Sequence, residues 1–172
     1  MSNQIPQRPV AFLLGSDSDL PVLEGAFSTL QELGIAFHVR ILSAHRTPDE
    51  ACEFARNARE NGVKVLIGVA GMAAHLAGAL AAHSLLPVIG VPVDSGPLQG
   101  EDALLSTVMM PPGIPVAATG IGKAAAKNAA LFAVRILALG DATLAAKLEK
   151  ARTAERDKTL AKDREVRARF QC

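Results

Sequence analysis

Four short polar clusters hold the residue types that move protons or grip anions, and each follows an apolar run. The richest is Ser43-Ala-His45-Arg46-Thr47-Pro48. An imidazole such as His45 exchanges a proton near neutral pH. Arg46 presents a planar fork suited to phosphate or carboxylate, and a helix starting just behind adds an anion-favouring dipole. No packing requirement sets Ser, His and Arg side by side at a strand end, so function is the favoured reading. In Gly15-Ser16-Asp17-Ser18-Asp19 the small residues let backbone N–H groups approach an anion at a helix N-terminus. A plain Ser/Asp helix cap explains the same residues equally well. The segment lacks the glycine-rich dinucleotide fingerprint, and the phosphate-loop Lys-Ser/Thr signature is missing from the chain.

The other two clusters are less telling. Gly71-Met-Ala-Ala-His75-Leu-Ala-Gly78 permits close backbone approach to a ligand, yet a single His in an apolar helix reads as a hydrogen-bonded core residue. Asp94-Ser95-Gly-Pro-Leu-Gln-Gly100 is a binding loop or an ordinary turn. His38 and His83 lack polar companions and read as structural. No His has a carboxylate or Cys at metal-ligand spacing, and no Ser-His-Asp order stands out.

Strands and helices must alternate to position these clusters. Val10–Leu14 reads as a strand buried on both faces. Leu23, Ala26, Phe27, Leu30 and Leu33 recur at helical spacing, with Gly34 as C-terminal cap. Ile35–Leu42 fits a second strand. Thr47, Pro48 and Glu50 supply a cap, a first-turn proline and the partner of a capping box. Asn61-Gly62 ends that helix, and Val63–Val69 is the third strand. Gly71–Ser84 reads as an alanine-rich buried helix, Pro87–Val93 as a fourth strand and Glu101–Met110 as a short helix. After the breaker Pro111-Pro112-Gly113 come a strand over Ile114–Thr119 and a helix over Lys123–Leu139. A last helix opens near Asp141, with Leu144, Leu148 and Ala151 on one stripe. The alternation predicts an open, mostly parallel sheet with helices on both faces and right-handed crossovers.

Composition narrows the function. The 172 residues hold 49% hydrophobic and 20% charged residues, enough for one core. With six Phe, no Trp and no Tyr, stacking platforms for bases or flavin are poorly supplied. A net charge of +1 recruits neither nucleic acid nor an anionic membrane. No apolar run reaches membrane-spanning length and no apolar signal region follows Met1–Pro9, so the chain is expected in the cytoplasm. Cys52 and Cys172 define no disulfide framework. Residues 141–172 carry nine of the eighteen Lys and Arg with six interleaved acids, as a solvated helix does. Beyond Ala151 the apolar positions thin to Leu160, Val166 and Phe170, which suits an arm on a neighbouring subunit or a frayed tail.

Together, Gly15-Ser-Asp-Ser-Asp19, Ser43-Ala-His-Arg-Thr-Pro48, Ala73-Ala-His-Leu76 and Pro87-Val-Ile-Gly-Val-Pro-Val93 closely resemble the N5-carboxyaminoimidazole ribonucleotide mutase family. That family is also known as the catalytic subunit of phosphoribosylaminoimidazole carboxylase. Similarity continues through Leu104-Leu-Ser106, Gly113-Ile-Pro-Val116 and Ile121-Gly-Lys123 to Asn128, and so covers roughly residues 9–140. It implies a flavodoxin-like three-layer α/β sandwich over residues 9–140, after a flexible N-terminus at 1–8, with a protruding helical arm at 141–172 in subunit contacts of a homo-octamer. It also implies a ribonucleotide substrate of de novo purine biosynthesis, with neither metal nor organic cofactor. By position, Ser16, Asp19 and Arg46 resemble the nucleotide-binding residues, and Ser18 and Ser43 the phosphate-side helpers. His45 resembles the general acid/base, while Gly71, Ala73, Ala74, His75 and Leu76 line the pocket of the migrating carboxyl group.

The implied chemistry needs one proton carrier. A carbamate loses CO2 once its nitrogen is protonated. A closed site must then retain CO2 until the ring carbon attacks it. The same imidazole that gave the first proton takes the ring proton back. Two departures stand where the family usually has Gly and Pro, namely Met72 and Ala77, and Met109-Met110-Pro111-Pro112 replaces a usual Gln-Met-Pro. A related branch carboxylates the aminoimidazole directly with CO2 and diverges at this segment, so it is the alternative activity. Weaker alternatives are a flavin-binding or phospho-acceptor module; the latter needs an Asp ending the third strand, where Val69-Ala70-Gly71 stands.

Overall fold

Val10–Leu14 forms strand β1 with all five side chains buried, as a strand packed on both faces requires. The computed structural model describes residues 7–170. The expected flexible segment at 1–8 lies outside the described residues up to residue 6, as does Cys172. By internal contacts the chain forms two compact units, one ending at Ile136 and one starting at Leu137.

Along the chain β1 is followed by a 3-10 turn over Asp17–Val22 and helix α1 (Glu24–Glu32). Strand β2 (Phe37–Ile41) and helix α2 (Pro48–Asn57) come next, then β3 (Val65–Gly71) and α3 (Leu76–His83). After β4 (Val88–Val93) and α4 (Glu101–Val108), the two-residue β5 (Ala117–Ala118) leads into α5 (Gly122–Ala138). The strand order is β2-β1-β3-β4-β5, and every pairing is parallel. One sheet face carries Ala11, Leu13 and Leu66 against Ala51 and Ala55 of α2 and Leu76 and Leu80 of α3. On the other face Phe12 meets Phe27 of α1 edge-on at 5.2 Å, and Phe27 stacks on Phe37 at 5.1 Å. Helices therefore cover both faces, as the alternation predicts, in a flavodoxin-like arrangement.

Small residues set how closely the layers approach. A Cβ on Gly68 would stand 2.9 Å from the Cα of Ala77, so glycine in β3 lets α3 lie directly on the strand. Ala77 is buried in the first turn of α3, a position where a proline fits equally well. The departure at Ala77 is thus a packing detail.

Three expectations need correction. The helix expected over Gly71–Ser84 begins only at Leu76, because β3 runs on to Gly71 and Met72 turns into the left-handed region at φ 56°. The strand expected over Ile114–Thr119 keeps two residues, held by the Thr119 N–H donating to the Gly90 carbonyl at 2.9 Å. Thr47 precedes α2 but its hydroxyl does not cap it. Instead Thr47 Oγ1 accepts the Ser43 N–H at 2.8 Å, closing the loop that carries His45.

The second unit is dominated by α6 (Ala142–Phe170), 29 residues long. Asp141 Oδ1 accepts the Leu144 N–H at 3.0 Å and caps its start. Leu144 is its only buried residue. Among the described residues no helix is long and apolar enough to cross a membrane.

Candidate active site

Because β1 and β3 lie side by side while their following helices pack on opposite faces, the chain opens a crevice at the carboxyl ends of these strands. A cavity of about 550 Å3 occupies it. Its walls are the loops leaving four consecutive strands of the sheet: Gly15–Asp19 after β1, Ser43–Arg46 after β2, Gly71–His75 after β3, and Ser95 after β4. A second hollow of about 400 Å3 lies between Ala117–Thr119 and α5. It is walled by Leu131, Phe132, Asn128 and Arg135 and holds no acid/base pair.

The β1 loop satisfies both readings of its sequence. Ser16 Oγ accepts the Ser18 N–H at 3.3 Å and the Asp19 carboxylate accepts the Ser16 N–H at 3.1 Å, a reciprocal capping box on the 3-10 turn. The cap does not remove these residues from the crevice, since Ser16, Ser18 and Asp19 all line it. Asp19 is almost wholly buried. Burial pushes its carboxyl above the ordinary value, against the opposing pull of the Ser16 N–H, the Ser18 side chain and the Arg46 charge.

The β2 loop is built around Ser43, whose hydroxyl accepts the N–H groups of His45 at 3.3 Å and Arg46 at 3.2 Å. Ser43 therefore shapes the turn as well as lining the cavity. Arg46 Nη2 donates to the Gly15 carbonyl at 2.6 Å, tying the β2 loop to the β1 loop with the guanidinium at the cavity wall.

The β3 loop holds the largest surprise. His75, read from the residues as a core histidine, is exposed at the start of α3. Its Nδ1 lies 2.8 Å from Nε2 of His45, with the rings edge to face at 5.0 Å. One proton lies between these nitrogens, so whichever ring donates, the other is unprotonated at that atom. A Cβ on Gly71 would overlap the Ser95 hydroxyl and press on the Val93 carbonyl. Ala74 alone among the expected site residues does not line the cavity. Its side chain is buried and its N–H donates to Ser106 Oγ at 3.0 Å. Ser106 in turn donates to the Asp102 carbonyl at 2.7 Å, which pins the loop to α4.

His38 and His83 lie outside the cavity. His38 sits edge-on to Phe54, and burial together with Arg8 and Arg40 lowers its pKa. His83 Nδ1 bonds the Ala79 carbonyl at 2.9 Å. Among the described residues no group of three or more His, Cys, Asp or Glu is placed to hold a metal ion. Sequence reasoning left Ser95 undecided and gave Ser106 no role. A serine just past a strand end is the signal for the first, whereas the second depends on a contact 32 residues away.

The model of the family described as AIR carboxylase matches residues 9–158. The chain belongs to the AIR carboxylase family. A Brucella melitensis relative named N5-carboxyaminoimidazole ribonucleotide mutase is 53% identical over 85% of this chain and 90% of its own. The Escherichia coli protein of that name is 48% identical over 93% of this chain and 95% of its own. The Bacillus subtilis protein of that name is 52% identical over 83% and 88%. Among solved structures, Treponema denticola PurE superposes with a TM-score of 0.81 at 29% identity, covering 95% of this chain and 98% of that one. The AIR carboxylase fold and the sequence resemblance thus agree, and the chain is an enzyme of this family.

Proposed function

We propose that this enzyme converts N5-carboxyaminoimidazole ribonucleotide to 4-carboxy-5-aminoimidazole ribonucleotide in de novo purine biosynthesis. What carries the reading is the His45–His75 pair at 2.8 Å in a cavity lined by Arg46 and four serines, in a chain about half identical to relatives named as that mutase. Ser16, Ser18, Ser43 and Arg46 supply hydroxyl and guanidinium donors for the phosphate and ribose. Asp19 supplies an acceptor for a ribose hydroxyl. Gly71, Ala73, His75 and Leu76 border the space left for the carboxyl group, with Ala74 holding their loop.

His45 is the proton carrier. As imidazolium it protonates the carbamate nitrogen, the N–C bond breaks, and CO2 leaves with the amine neutral. The ring carbon then attacks CO2, and neutral His45 removes the proton from that carbon. The cycle closes with no net proton gained or lost. His75, bonded to Nε2 of His45, orients that ring and fixes which nitrogen faces the substrate.

Two cells test the reading. One holds N5-carboxyaminoimidazole ribonucleotide, the other aminoimidazole ribonucleotide with bicarbonate. Turnover of the first alone is expected. Rapid turnover of the second at modest CO2 instead establishes the direct carboxylase that the family description names. His45→Asn is expected to keep ligand binding and lose turnover by about 100-fold or more; substantial residual activity removes His45 from the role.

A further inference from the structure

Met72 is one of two non-glycine residues with positive φ among the described residues, at 56°. It directly follows Gly71, which pairs with Val93 at the end of the β3–β4 ladder. A glycine takes this backbone shape without strain. Strain kept beside a reacting centre points to something the side chain contributes.

Its surroundings show what that is. Met72 lines the cavity and is 57% exposed, the only large apolar side chain of the lining to be so exposed. Leu76, the other large apolar lining residue, is buried beneath. The other lining residues, Ser95, Ala73, Ala44, His45 and Arg46 among them, are small or polar and hold water rather than exclude it. Met72 leans toward the β4 loop: a Cβ on Gly96 would stand 3.5 Å from its Cγ. Its side chain thus sits at the cavity mouth between the β3 loop that bears it and the β4 loop. An unbranched thioether with three rotatable bonds fits itself to whatever lies beneath it.

We propose that the Met72 side chain is the cover that keeps released CO2 in the cavity until the ring carbon captures it. The inference rests on the mutase reading above. CO2 is small and apolar, and between its release and recapture nothing covalent holds it. An apolar cover over the crevice lengthens its stay and keeps water from the site. Met72 is a positioning residue here, since it neither gives nor takes a proton.

The test reads the fate of the CO2. Wild type and the Met72→Ala, Met72→Gly and Met72→Leu variants convert N5-carboxyaminoimidazole ribonucleotide in 13C-bicarbonate with carbonic anhydrase, against an enzyme-free control. Heavy carbon in the product records each CO2 that escaped and was replaced. Wild type is expected to take up little label. Met72→Ala and Met72→Gly should take up about tenfold more, the scale on which one lost apolar contact shifts a partition. Met72→Leu restores bulk and should label like wild type. Equal labelling in all four proteins overturns the proposal. High labelling by Met72→Leu overturns it too, because bulk is then not the cause. Should Met72→Ala fail to fold, as circular dichroism will show, the Gly and Leu pair decides alone. Absence of turnover by wild type instead removes the mutase reading, and the inference with it.

Discussion

Asp19 carries an internal conflict that solution measurements can read. Its carboxyl is buried and accepts the Ser16 N–H, and burial raises its pKa from the ordinary 3.8. A raised acid pKa means the folded chain binds this proton more readily than the unfolded one. Asp19 therefore favours folding progressively as pH falls through its folded-state value toward 3.8, and its ionised form disfavours folding above that window. Asp19→Asn keeps an oxygen for the Ser16 N–H and removes the titration. Urea melts across this range are expected to show a shallower pH dependence for Asp19→Asn, with stability at neutral pH equal to or above wild type. The Michaelis constant should rise, since the variant offers a ribose hydroxyl a weaker acceptor. Parallel pH profiles for the two proteins would contradict the assignment. His45 and Arg46 were legible in the sequence because their types have no packing reason to sit together. His75 read from the residues alone as a core histidine, because surrounding alanines made its segment look helical; the family resemblance put it in the pocket, and the fold brings it to His45.

Loops, rather than strands or helices, were the least legible elements. The start of β1 and the proline opening α2 followed from residue types alone. Gly71–His75 did not, because its small residues suit a helix and nothing nearby shows that Ser106 claims the Ala74 N–H. Met72 holds a conformation costing a side-chain-bearing residue about 1–2 kcal/mol, so this loop needs an external anchor, and α4 provides it. Ser106→Ala leaves the Ala74 N–H without its acceptor, a loss of about 1–3 kcal/mol. Its second effect tests positioning. With the loop released, the His45–His75 bond loosens, so kcat should fall more than the Michaelis constant rises. Ser106→Thr retains the hydroxyl and should recover most of the activity. A variant that melts earlier yet keeps its kcat would confine Ser106 to stability. Thr47 makes the same point: its hydroxyl serves the Ser43 loop instead of capping α2, a choice that the capping-box pattern does not reveal.

The parallel sheet and its switch between β1 and β3 account for the crevice, but not for α6. That helix extends for about 43 Å, and of its 29 residues only Leu144 is buried. Helices draw most of their stability from packing an apolar face, and an isolated one is marginal in water. Leu160, Val166 and Phe170 are 46%, 55% and 69% exposed, and the surrounding charges alternate in sign, so the helix gains little from itself beyond neighbouring pairs such as Arg156 with Asp157. Docking of this helix on further copies of the chain is the arrangement that the family resemblance implies, and it would give those three side chains a place to be buried. Truncation after Gly140 is then expected to lower the number of copies per particle, read by light scattering as the measured mass divided by the mass of the shortened chain. The core sheet should still fold, since β1–β5 and their crevice lie wholly in the first unit. An unchanged number of copies would show that α6 is a solvated tail and that assembly, if any, uses other surfaces. Leu160→Asp with Phe170→Asp in the full chain separates these cases without removing the helix, because both substitutions fall on exposed positions and should alter mass only where those side chains are buried between copies.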